Sequence, residues 1–331
     1  MTFVRSCVAA WVALALSAQT AALSQATLPE LPTLTAPLGR EHPLTGRIIR
    51  LVDDSAVDPA RLVHDATGAA FVLLGEKHDN PDHHKLQAWM IDALSRSGRR
   101  PAVAMEMLSA DQAPALARYL NDAHADATGL GAAVGWQAQG WPDWTIYAPI
   151  ADVALRARLP IIAADLAKAA QHGIGRRGLG SLPDDTIARL QLMTDYDPHQ
   201  AASLAHELRD SHCGHVPEDA LQGMATVQRA RDAHMAAAMI DAAALPGIDG
   251  AVLIAGAGHV RRDRGVPWHL ARMVPGKRIL TIAFSEVDPV RTTAAQYVGP
   301  GTFDYVWFTP RLDDGDPCAR FEEQLRRLRR P

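Results

Sequence analysis

Between Phe71 and His84 the chain reads FVLLGEKHDNPDHH, an apolar run that ends in seven ionisable side chains within nine positions. Carboxylates and imidazoles gathered this way can relay protons or hold a divalent metal. Three other apolar runs end alike: PAVAM meets Glu106, PIIAA meets Asp165, and AVLIAG leads through Ala257 and Gly258 to His259. The general polarity of loops accounts for Asp165. It does not account for Glu106, which lies between Met105 and Met107, where burying an unpartnered carboxylate is unfavourable. Glu76, His78, Glu106 and His259 are therefore the candidates for acid–base catalysis, and Glu76, His78 and His259 for metal ligation. The spacing matches no HExxH or CxxC metal pattern, no phosphate-binding P-loop and no GxSxG elbow. Gly256 and Gly258 do not complete a dinucleotide fingerprint, because Arg261 stands where the third glycine belongs.

The elements that must position these residues follow from patterning. FVLLG, PAVAME, LPIIAAD and GAVLIAG are short unbroken apolar runs, the mark of strands covered on both faces. GRIIRLV, RILTIAF and DYVWF add further strands. Asp58-Pro59 and Asn80-Pro81 each place a capping side chain before a first-turn proline, and Ser109 to Gln112 forms a capping box. Strands alternating with helices predict an α/β fold, a mainly parallel sheet with helices on both faces. In such sheets ligands bind beyond the C-terminal strand ends, where all four candidates fall. Residues 166–245 read as a helical insertion over the sheet, with Met224, Val227, Arg231, Met235 and Met239 along one helix.

Two further clusters stand out. GWQAQGWPDWTIYAP holds three of the chain's seven tryptophans, although the chain is only 5% aromatic. Trp136 reads as packing. Trp144 and Tyr147 could instead wall a flat apolar ligand, and a tyrosine oxygen is among the groups that ligate ferric haem. DSHCGHVPE places His212, Cys213 and His215 around Gly214, either as metal ligands or as a disulfide partner between exposed histidines.

The 331 residues can bury one large core or two smaller ones. A net charge of −4 with interleaved signs gives no support to nucleic-acid binding. Residues 1–26 read as a cleavable leader, with Arg5, a short apolar core and small residues before Thr27. Cys7 precedes that apolar core, so lipidation is not expected, and the mature protein is expected to be periplasmic or secreted. Residues 27–45 form a Pro- and Leu-rich arm, and one domain is expected over residues 46–331. In an oxidising compartment Cys213 and Cys318 could pair, which spacing alone leaves open.

Taken together, LLGEKHDNPDHH, AMEM, GWPDWTIYAPI, SHCGHVPE, QRARDAHMA and AGAGHVRRDRGVP resemble the ChaN-type haem-binding family of the Tiki/TraB-like superfamily. The resemblance runs from about Phe71 to Pro267, with WFTPRLDDGDPC similar to the family's C-terminal end. It implies an exported haem-binding protein of a Gram-negative bacterium, acting in haem or iron uptake or relay. Paired haems between two subunits, tyrosine ligation and an outer-membrane haem receptor system as partner come with it, as does outer-membrane association as the alternative location. Under this reading Tyr147, Trp144, Arg261, Arg262 and His215 are the candidate haem contacts, with the arginines facing the propionates. The superfamily's hydrolases imply the alternative, a metal-dependent ester or amide hydrolase using Glu76, His78, Glu106 and His259.

Overall fold

The structure is a computed structural model describing residues 27–316 together with 318, 319 and 322. The expected leader, Cys7 and the basic run at the C-terminus lie outside the described residues.

Eight strands form one sheet: β1 (Ile48–Arg50), β2 (Ser55–Val57), β3 (Phe71–Glu76), β4 (Ala102–Ser109), β5 (Ile161–Asp165), β6 (Ala251–Gly256), β7 (Ile279–Glu286) and β8 (Tyr305–Thr309). Their order is β2-β1-β8-β7-β3-β6-β4-β5. Every neighbouring pair from β8 to β5 is parallel, while β1 joins both β8 and β2 antiparallel at one edge. The expected α/β class is the observed one. β2 was not foreseen, because three residues are too few to show alternation.

The caps work as their sequence suggests. Asp58 accepts from Arg61 N–H at the start of α1 (Pro59–Thr67), and Asn80 accepts from Asp82 N–H at the start of α2 (Pro81–Arg96). The Ser109–Gln112 capping box opens a single 3-10 turn leading into α3 (Ala113–Leu120). Helices α4 (Ala127–Ala133) and α5 (Trp144–Arg156) precede β5. Between β5 and β6 the chain is helical: α6 (Lys168–Arg177), α7 (Asp184–Arg189), α8 (Pro198–Ser211) and α9 (Glu218–Ala243). After β6 comes α10 (Val266–Met273).

Strand alternation divides the core into two layers. Val72, Leu74, Val103, Met105 and Ile254 pack under α1, α2 and α5, against Leu62, Met90, Leu94 and Ile150. Phe71, Leu73, Ala104 and Leu253 face the other way, against Met235 and Met239 of α9 and Leu270 of α10. Each methionine buried there contributes about 1.5–3 kcal/mol. The second half of α9 is thus a covering layer of the sheet itself, and only its first half rises above the rim with α6 and α8.

The arm at residues 27–45 is strapped to the domain. Buried Asp82 accepts from the N–H groups of Thr35 (2.8 Å) and Ala36 (2.8 Å) and from the Thr35 hydroxyl (3.0 Å). Trp89 Nε1 donates to the Pro29 carbonyl. An irregular segment needs partners for its amides, and the carboxylate at the start of α2 supplies them. Cys213 and Cys318 form a disulfide, tying the turn after α8 to the chain beyond β8. No helix among the described residues is long and apolar enough to cross a membrane.

Candidate functional site

Period-2 alternation sends the two glutamates to opposite faces of the same rim. Glu76 follows Val72 and Leu74 to the α2/α5 side, and Glu106 follows Ala102 and Ala104 to the α9 side. Glu76 Oε1 accepts from His78 Nδ1 at 2.8 Å and from the Tyr147 hydroxyl at 2.9 Å. Its Oε2 lies 3.0 Å from His84 Nδ1. His84 also faces Gln87 Oε1 and the His78 carbonyl, each at 3.0 Å, so both ring nitrogens meet acceptors and the ring is set up as an imidazolium.

On the other side, Glu106 Oε2 accepts from Gly256 N–H at 2.8 Å, and Oε1 meets Arg231 Nη2 at 2.7 Å and His259 Nε2 at 3.0 Å. Arg231 also holds Asp165, through Nε at 2.9 Å and Nη2 at 3.0 Å. His259 Nδ1 is 2.5 Å from Asp232 Oδ1. His78 joins the halves, its Nε2 4.0 Å from Glu106 Oε2. A Cβ on Gly256 would stand 3.0 Å from that nitrogen, so the close approach depends on glycine at this strand end.

The network pairs four buried carboxylates (Glu76, Glu106, Asp165, Asp232) with four basic groups (His78, His84, Arg231, His259). Burial pushes the Glu76 carboxyl upward, but His84 and His78 outweigh it and hold it well below the usual carboxylate range. Glu106 is held low in the same way by His259 and Arg231. Burial opposes charge on His259, yet Glu106 and Asp232 raise its pKa to about 10. His78 is raised as well, Glu76 and Glu106 overcoming its desolvation. Burial together with Glu76 pushes the Tyr147 phenol far above its ordinary value, so it stays protonated and donates.

The structure brings Glu76, His78, Glu106 and His259 together, as their strand-end positions predict. It does not make Glu76, His78 and His259 a metal site. Among the described residues no group of three His, Cys, Asp or Glu side chains is arranged to hold a metal ion. Glu106 and Glu76 Oε1 already accept from N–H and O–H donors, Glu76 Oε2 has only the ion pair with His84, and Arg231 and protonated His259 put positive charge where a cation would need to sit. The donor set does not fit a divalent metal.

The expected haem contacts are dispersed. Tyr147 is fully buried, its ring centroid 3.9 Å from that of His84 at a tilt of 39°, and its hydroxyl is committed to Glu76. Trp144 packs edge-on against Trp136 and over Gly131, where a Cβ would lie 2.4 Å from its ring. Both are buried in the core under α5. Arg261 pairs with Asp263 at 2.8 Å. Arg262 reaches Asp304 and the Ile279 carbonyl at the N-terminal end of β7, across the sheet from the rim. His215 lies in the turn next to the disulfide. Of the crowd after β3, His83 bridges Lys77 N–H and the Thr309 hydroxyl, and burial lowers its pKa to about 3.

Sequence reasoning missed His84, Arg231 and Asp232. The available signal was QRARDAHMA, where charges interrupt an Ala- and Met-rich helix. It also missed the groove above the rim. The first half of α9 stands opposite α6 and the end of α8, enclosing a cavity of about 530 Å³. Leu208, Met224 and Val227 give it apolar walls, His172, His212 and Arg176 its polar edge, and Gln228 and Arg231 reach its floor. Arg231 therefore connects the groove to the acid–base network. Near the groove Gly223 meets α6 closely: a Cβ there would lie 3.0 Å from the Gly175 carbonyl.

The fold is thus a mainly parallel α/β sheet with a charged strand-end network and a groove above it. Residues 62–270 match the haem-binding uptake family, Tiki superfamily, ChaN, and the chain belongs to that family. It is similar to a solved structure described as cofacial heme binding to ChaN of Campylobacter jejuni, with a TM-score of 0.62 and 21% identity over 78% of this chain and 95% of that one. Weaker likeness extends to the type III effector HopBA1 (TM-score 0.44, 16% identity, 81% and 98% covered). A mutant erythromycin esterase, EreC, follows in its open conformation (TM-score 0.42, 15% identity, 78% and 94% covered). Among curated proteins none matches.

Proposed function

We propose that this protein is an exported haem-binding protein that takes up or relays haem for iron acquisition in a Gram-negative bacterium. The observation that carries this reading is the groove above the strand-end rim in a chain of the haem-binding uptake family. Its apolar walls suit a porphyrin face, and Arg176 at its edge suits a propionate. The Cys213–Cys318 disulfide supports export, because such bonds persist in oxidising compartments. Pairing of two subunits around haem and exchange with an outer-membrane receptor belong to the same proposal. Hemin added to the mature chain is expected to give a saturable Soret shift, and a featureless titration would end the proposal.

A second reading, hydrolysis without a metal, is favoured by the Glu76–His78 pair. Its imidazole is one-third exposed beside Trp141, whose ring centroid is 4.9 Å away. Because Glu76 and Glu106 strengthen its hold on a proton against its desolvation, His78 would serve as a proton donor to a leaving group. An ester hydrolysis rate that is lost in His78→Asn would support this reading; an unchanged rate would remove it.

A further inference from the structure

The end of the sheet opposite the rim carries a second cavity, of about 410 Å³, a size in the range of small-molecule pockets. β1 runs antiparallel to β8, so Arg50 and the turn after β1 lie beside the chain entering β8. The loop before β8 and the first residues of β7 form its other sides. Its floor is apolar, made by buried Leu280, Phe303 and the Tyr305 ring. At its mouth stands Val52, an apolar side chain left 85% exposed.

Three guanidinium groups line this apolar cavity, from Arg50, Arg262 and Arg278, against a single carboxylate, that of Asp304. Asp304 Oδ2 engages Arg262 Nη1 at 2.8 Å and also accepts from the Thr281 N–H and hydroxyl. Arg262 keeps its Nε and Nη2 without a partner among the described residues. Arg50 holds Asp53 through Nε (2.9 Å) and Nη2 (2.5 Å), which leaves its Nη1. Arg278 is the least engaged. Its side chain is 55% exposed, and the nearest carboxylate oxygen, Asp65 Oδ1, is 3.9 Å away. Asp65 is itself already held by Arg61 and by the Tyr305 hydroxyl. No hydrogen bond engages the Arg278 guanidinium among the described residues. Like charges gathered over an apolar floor repel one another and gain from an anion brought between them.

We propose that this cavity binds a small carboxylate with an apolar body, of the medium-chain fatty acid class. Arg278 and Arg262 meet the carboxylate, whose geometry matches a guanidinium fork, and Leu280, Phe303 and the Tyr305 ring lie under the chain. A free phosphate would satisfy the arginines but leave the apolar floor in water, so the amphiphile is the favoured occupant. The site is separate from the groove above the rim, and its occupancy does not depend on the haem-binding reading.

The test is titration calorimetry of the mature protein with decanoate, with 1-decanol as the uncharged chain and inorganic phosphate as the anion without a body. Decanoate is expected to bind saturably at one site, and the other two probes at least about tenfold more weakly. Arg278→Gln, at an exposed side chain, is expected to weaken decanoate at least about tenfold, the loss of a charge-assisted hydrogen bond. Val52→Asp, which sets a negative charge at the mouth without touching the core, should weaken it several-fold as well. Met224→Trp, which fills the groove above the rim, should leave decanoate affinity unchanged. No saturable decanoate binding, or equal affinity in wild type, Arg278→Gln and Val52→Asp, would overturn the proposal. So would phosphate binding as tightly as decanoate, which would make the site one for bare anions, or a loss of decanoate binding in Met224→Trp alone, which would move it to the groove.

Discussion

Replacing Arg231 by methionine is expected to destabilise the fold by about 3–5 kcal/mol, the range for removing one partner from a buried ion pair. The guanidinium is 15% exposed and is the only arginine in contact with both Glu106 and Asp165 among the described residues. Methionine matches the arginine stem in apolar character but leaves two buried carboxylates facing each other. His259 stays beside Glu106 and cannot serve Asp165 as well. The triple variant Arg231→Met/Glu106→Gln/Asp165→Asn should recover much of the loss, since neutral amides remove the unpaired charge. Urea unfolding would measure both. If the single variant lost less than about 1 kcal/mol, or the triple variant were worse than the single one, the network would not be the coupled charge cluster described above.

The second large effect is a fall in stability with alkali. The folded-state pKa of His259, about 10, lies well above the ordinary histidine value near 6.5. A group raised in this way contributes stability that is complete below the unfolded pKa and lost as pH rises through the folded one. Between pH about 6.5 and about 10 the protein should therefore lose stability steadily. The raised His78 and His84 act in the same direction. Glu76 and Glu106, both depressed, contribute in the opposite sense, their share being lost as pH falls below the ordinary carboxylate range. Melting temperatures from pH 6 to 10, compared with a His259→Gln variant, isolate the effect. A wild-type slope no steeper than the variant's would contradict it.

Much of the fold could be read from the chain because its signals are local. Unbroken apolar runs gave the parallel strands, and Asp58, Asn80 and Ser109 gave the helix starts through bonds that span only two or three residues. The gathering of Glu76, Glu106 and His259 could also be read, since the end of a buried strand in a parallel sheet has a known place. Their partners could not. Arg231 and Asp232 lie more than 100 residues from Glu106 in sequence, on a helix whose packing angle no pattern specifies. The Trp144–Tyr147 segment was ambiguous for a related reason: an aromatic cluster looks the same whether it packs against Gly131 or against a ligand. Asp82 and His83 are two of the seven ionisable side chains after the apolar run of β3, yet each is buried. One ties down the arm and the other bridges to β8. The Cys213–Cys318 bond joins positions 105 residues apart, which only the folded chain brings within reach.

The central claim is that haem binds in the groove above the rim. The most direct test is a hemin titration of the mature protein beside Met224→Trp, whose half-buried methionine lies on the groove wall. Circular dichroism and melting temperature would confirm that both fold alike. The account predicts a saturable Soret shift for the wild type and affinity weakened by at least about tenfold, equivalent to about 1.4 kcal/mol, in the filled groove. Equal hemin affinity in both proteins would place the haem elsewhere and contradict it.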